Sequence, residues 1–200
     1  MKRIVLLLLV AASMGGLTLS AQTVNSLENG KYSLSVGDVT LTVDASRGGK
    51  IVSYKYKDTE ILSQTRMPNS FGSTFWTSPQ SEWNWPPVPE YDTKPFNAEV
   101  TDGKLVLTGE KSKRFGYKVR KEFVADTKDN AIVITYTLVN ESGETRKVAP
   151  WEISRVPNGG ILFFDAKEVT PANNMAGLPF VYEKKAAWYV LDEDRVNRKI

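Results

Sequence analysis

Two-residue alternation of apolar and polar positions runs through most of this chain, while helical periodicity is hard to find. Tyr32-Ser33-Leu34-Ser35-Val36 turns at Gly37-Asp38 into Val39-Thr40-Leu41-Thr42-Val43, which predicts a hairpin. Lys50 to Tyr56 and Glu60 to Leu62 flank a second turn at Lys57-Asp58-Thr59. Asp102-Gly103, a strong hairpin dipeptide, precedes Leu105 and Leu107. Phe115, Tyr117 and Val119 alternate with Lys118 and Arg120, a strand with one wet face. From Ile132 to Val139 both alternating sets are β-branched or aromatic, which predicts a strand buried on both faces. Trp188 to Leu191 reads as a last strand, followed by a turn over Asp192-Glu193-Asp194-Arg195. Short strands punctuated by turns predict an all-β fold, a mostly antiparallel β-sandwich or barrel, with no internal repeat.

The alternation breaks between Met67 and Phe96. Six of the 10 prolines (Pro68, Pro79, Pro86, Pro87, Pro89, Pro95) and three of the 5 tryptophans (Trp76, Trp83, Trp85) fall in this stretch. Proline donates no backbone hydrogen bond and fixes φ, so neither a helix nor a central strand is expected here. The aromatic content argues against disorder. The expectation is one long, ordered loop interrupting a single domain, and such loops are commonly functional.

Lys2 and Arg3 precede an apolar run over Ile4 to Ala12, and small residues follow up to Leu19-Ser20-Ala21. This is the pattern of a secretory leader over residues 1–21, leaving residues 22–200 as one β-sandwich domain exported to a bacterial periplasm. The apolar run is too short for a bilayer span. Without cysteine the exported domain is held by its core and not by disulfides. Removing Lys2 and Arg3 lowers the formal charge of +3 by two, to +1, so no basic stripe speaks for nucleic acid.

Several segments carry a family resemblance. Val39 to Val43, followed by Arg47-Gly48-Gly49-Lys50-Ile51-Val52-Ser53 and Thr59-Glu60-Ile61-Leu62, resembles the first hairpins of the galactose-mutarotase-like superfamily, a carbohydrate-active β-supersandwich. Tyr136 to Asn140 followed by Ala149-Pro150-Trp151-Glu152 is similar to the central strand pair leading to its sugar pocket. Gly72-Ser73-Thr74-Phe75-Trp76-Thr77-Ser78-Pro79-Gln80, with Trp83-Asn84-Trp85-Pro86-Pro87, resembles an uncharacterised bacterial branch of the DUF4380 type. The resemblance covers roughly Asn29 to Asp165 and implies a sugar as partner. Aldose epimerases of that superfamily use histidines and a late glutamate. This chain has no histidine, and the glutamate's place would fall beyond Ile200, so the chain reads as incomplete on that side. The histidine-based mutarotase mechanism is therefore excluded.

The candidate ligand-binding residues are Arg66, Trp76, Trp83, Trp85, Trp151 and Arg155. The flat indole faces suit the C–H face of a pyranose, although they could equally close one end of the sandwich. Trp83 and Trp85 are two apart and would share a side in an extended segment. Trp151 and Glu152 at a strand end are expected to join the loop in one pocket. The arginines offer planar donor sets for hydroxyls or carboxylates, or simply surface ion pairs. Glu82 and Glu152 each neighbour a tryptophan. They are the candidate carboxylates for acid–base chemistry, against the plainer reading of solvated glutamates. No cofactor is expected: zinc lacks histidine and cysteine, the acidic run at Asp192 lacks a calcium-loop pattern, and no phosphate loop is present. Three functions stay open: a sugar-binding module, an epimerase or other carbohydrate-processing enzyme working with carboxylates, and a structural fragment that needs a partner or further chain.

Overall fold

The computed structural model describes residues 24–65, 70–157, 159–166 and 180–190. The expected leader, Arg66 and the turn at Asp192 lie outside them. Among the described residues the strands are β1 (Val24–Ser26), β2 (Lys31–Val36), β3 (Val39–Asp44), β4 (Lys50–Tyr56), β5 (Thr59–Glu60), β6 (Ser73–Ser78) and β7 (Asn97–Thr101). They continue with β8 (Lys104–Thr108), β9 (Tyr117–Asp126), β10 (Ala131–Asn140), β11 (Ala149–Ser154), β12 (Ile161–Asp165), β13 (Val181–Glu183) and β14 (Ala186–Val190). One helical turn, α1 (Pro89–Asp92), stands between β6 and β7.

The fold is an all-β, antiparallel sandwich. A seven-stranded sheet has the order β1-β2-β3-β4-β6-β11 with β5 attached to β4; a four-stranded sheet runs β10-β9-β8-β7; a small third sheet runs β12-β14-β13. Every pairing is antiparallel. The predicted hairpins form in register, with Val36 opposite Val39 and Thr101 opposite Lys104. Asp102 and Gly103 both take positive φ, the conformation that a two-residue hairpin turn demands. The core joins Leu34, Leu41, Val43, Ile51 and Phe75 of the large sheet to Leu105, Leu107, Tyr117, Val119 and Phe123 of the four-stranded one.

Three expectations change. The proline-rich stretch does contain a strand: β6 lies between β4 and β11. The ten residues from Asn69 to Ser78 between Pro68 and Pro79 contain no proline, and six of them form β6. α1 follows with Pro89 at its start, where the missing N–H costs nothing. β10 is not buried on both faces. Ile132, Ile134, Tyr136 and Leu138 are half-buried against the core, while Val133, Thr135, Thr137 and Val139 are exposed. Only one face of its sheet packs on the core, so β10 has one covered face, and β-branched residues fit an exposed strand face nearly as well. Finally, β9 alternates as predicted, but its inward set contains Lys121, which is only 2% exposed.

Candidate functional site

The four tryptophans of the β6 region and β11 form one cluster with Trp76 as its hub. Trp83, Trp85 and Trp151 each stand edge-on to Trp76, at centroid distances of 5.7, 5.9 and 5.6 Å, a geometry the aromatic quadrupole favours. Trp76 and Trp151 are directly opposed in the β6–β11 ladder, so they share a face of the sheet. Trp76 donates its Nε1–H to Asp92 Oδ1 at 3.0 Å, tying β6 to the end of α1. Thr77 carbonyl accepts the Trp83 Nε1–H at 2.9 Å, and Arg114 donates to the carbonyls of Glu82 and Trp83.

Trp83 and Trp85 do not share a side. Trp83 has helical dihedrals (φ −112°, ψ −16°) and Asn84 has φ 54°, so the segment is not extended where the two-residue rule was applied. Trp83 goes into the core at 2% exposure, and Trp85 stays 69% exposed.

Beside Trp85 lies a cleft of about 260 Å³. Its lining combines the apolar surfaces of Trp76, Trp85 and Pro86 with the polar side chains of Arg47, Thr74, Asp92 and Arg155. Arg155 donates from Nη1 to Thr74 Oγ1 at 3.2 Å and lies 6.0 Å from the centre of the Trp76 ring. Burial lowers the Arg155 pKa, opposed by the charges of Asp92 and Glu152. The volume sits just below the ~300 Å³ at which drug-sized pockets begin, room for one sugar ring. A larger hollow of about 500 Å³ is lined by Lys31, Asp44, Lys55 and Glu60 among others, and its one aromatic lining residue among those described, Phe71, is buried.

The turn between β3 and β4 places Arg47 at this cleft. Its Gly48 N–H donates to the Lys94 carbonyl at 2.7 Å, and Phe96 N–H donates to the Ala45 carbonyl at 2.8 Å. Gly48 has φ +63°, and a Cβ there would lie 2.3 Å from the Asp92 carbonyl oxygen; only glycine allows this approach. From beneath, Lys121 Nζ donates to the carbonyls of Gly48 and Gly49 at 2.8 and 3.1 Å. Phe75, Phe96 and Tyr136 surround the ammonium.

The carboxylate candidates are not brought together, and neither lines the tryptophan cleft. Glu152 follows Trp151 on a strand, so it projects to the opposite face, where it opposes Phe75 and accepts a hydrogen bond from Ser73 Oγ. Burial, with the Glu152 charge added, raises the pKa of the neighbouring Tyr136 phenol. Glu82 pairs with Arg146 at 3.8 Å beside the 3-10 turn over Gln80–Glu82. The expected joint pocket of loop and Trp151-Glu152 is thus divided by the sheet: Trp151 supports Trp76 from the cleft side, and Glu152 belongs to the interior. Among the described residues, no three Asp or Glu side chains are grouped so as to hold a metal ion.

Of the sequence-derived site residues, the structure brings Trp76, Trp85 and Arg155 to one cleft. Arg47, Thr74 and Asp92 were missed, because their common location depends on the clasp between a turn and a helix more than forty residues apart. No family model matches the chain, no curated protein matches it, and no solved structure matches it.

Proposed function

We propose that this chain is an exported carbohydrate-binding β-sandwich domain, chemically diverged from the aldose epimerases it resembles, and that the Trp85 cleft holds the sugar. The observation that carries this reading is the 69% exposed Trp85 indole lining one cleft with Thr74, Asp92 and Arg155. Leaving so large an apolar face in water is unfavourable, and an exposed indole beside convergent polar groups is a recurrent ligand-site arrangement. Export rests on the leader pattern of residues 1–21. The enzyme alternative through Glu82 or Glu152 gains no support from the cleft, since neither carboxylate reaches it.

Titration of residues 22–200 with mono- and oligosaccharides, followed by tryptophan fluorescence, tests the proposal. A saturable change is expected with at least one sugar, and Trp85→Ala should abolish it while shifting stability by no more than ~0.5 kcal/mol, as for surface substitutions generally. No response to any sugar would sink the reading.

The structural alternative has its own observation. A groove of about 270 Å³ opens between β10 and the large sheet, lined by Leu41, Tyr54, Ile132, Ile134 and Tyr136, and further chain or a partner could cover it. Sedimentation of the same domain addresses this: a concentration-dependent dimer would favour it, a monomer at all concentrations would count against it.

A further inference from the structure

We infer that the Trp85 cleft selects a sugar bearing a carboxylate, a uronic acid residue, over its neutral counterpart. This deepens the carbohydrate reading above and rests on it. Three cationic side chains, Arg47, Lys50 and Arg155, line the cleft, and Asp92 is its sole acidic lining residue among those described. With the buried Lys50 set aside, the two arginines still outnumber the one acid at the cleft.

The single acid is not placed to cancel that excess. Asp92 Oδ1 is occupied by the Trp76 indole N–H, and no ion pair joins Asp92 to either arginine. The Arg155 guanidinium uses Nη1 on Thr74 and on the Ile153 carbonyl, which leaves Nη2 without a protein acceptor among the described residues. Arg47 is half-buried and makes no side-chain ion pair there.

Cations withdrawn partly from water are costly: burial lowers the Arg155 pKa, and the nearby charges of Asp92 and Glu152 offset that only in part. An anionic ligand removes the cost, whereas a neutral pyranose does not. Guanidinium groups prefer a planar carboxylate that accepts two parallel N–H bonds. The aromatic surfaces meanwhile cover the ring. The backbone that carries Arg47 is held in place, since its turn is clasped by Lys94, Phe96 and Lys121, so little backbone ordering is required on binding.

The test compares three oligosaccharides of equal length (neutral galactan, galacturonan and sulfated galactan) by calorimetry and tryptophan fluorescence. Galacturonan should bind about 10- to 100-fold more tightly than galactan, the range of a hydrogen bond to a charged group. Raising salt from 50 to 500 mM should erode that preference and leave any neutral binding in place. Arg47→Gln and Arg155→Gln should each bring the ratio of uronate to neutral affinity toward one. The salt series on the unaltered protein keeps the test valid if either variant misfolds. Equal affinities for neutral and uronic chains overturn the charge selectivity while the sugar reading survives. Tighter binding of the sulfated chain overturns the carboxylate assignment. Binding of none of the three removes the sugar reading itself.

Discussion

Lys121 occupies an inward position of β9 where alternation calls for an apolar side chain. Its ammonium is buried among three aromatic rings and two carbonyls. Burial pulls its pKa down to about 8, with the charges of Glu152 and Asp92 acting in the opposite sense. The folded value lies below the unfolded one of 10.5. Between those limits the unfolded chain binds more protons, so stability rises with pH across that window. The penalty is fully present below about pH 8 and is on the order of 3 kcal/mol. Above about pH 10 the trend reverses, because burial keeps the Tyr136 phenol protonated while unfolded tyrosines ionise. Urea denaturation at intervals from pH 7.5 to 9.5 should show stability climbing in the natural protein and a flatter profile in Lys121→Met. Parallel profiles would mean that the lysine is charged or neutral alike in both states.

The β3–β4 turn joins fold to site, and Gly48 is its least replaceable residue. Alanine there must adopt φ near +63° and clash with the Asp92 backbone, whereas the exposed Gly143, at φ +80°, has nothing within 4 Å of a new Cβ. Gly143→Ala should therefore cost only the left-handed backbone penalty, about 1–2 kcal/mol, and leave ligand affinity unchanged. Gly48→Ala should cost more than that and also weaken ligand binding, since α1 and Arg47 must move apart. Equal losses of stability in the two variants would show that the clasp is not tight. The strands and their turns were legible because period-two alternation and turn dipeptides such as Gly37-Asp38 and Asp102-Gly103 act locally. The site was only half legible. Trp85 and Arg155 stood out by residue type, but Asp92 and Arg47 acquire their role from a tertiary contact that leaves no mark in spacing. Trp83 was misplaced because Asn84 takes a left-handed conformation that aromatic counting does not reveal.

At the scale of the whole molecule, the sandwich and the third sheet differ in what they contribute. No residue of β12, β13 or β14 belongs to the main core cluster. Ile161, Phe163 and Val181 of that sheet are each at least 60% exposed. Arg155, by contrast, precedes β12 and is anchored through its backbone, donating to Gly72 carbonyl at 3.0 Å and accepting from Ser63 N–H at 2.8 Å. Every described residue that lines the cleft thus precedes residue 158. A chain of residues 22–157 should melt in one cooperative transition, with a midpoint within about 4 °C of the 22–200 form, the shift expected for a change near 1 kcal/mol. It should also keep the response of Trp85 to sugar. Trp83→Ala in either form provides the scale for a true core loss, about 3–5 kcal/mol. If 22–157 lost its cooperative transition, the third sheet would be holding the sandwich closed, and the open groove beside β10 would become the more important surface. A preserved transition with preserved binding would place recognition wholly within the two main sheets and their tryptophan segment.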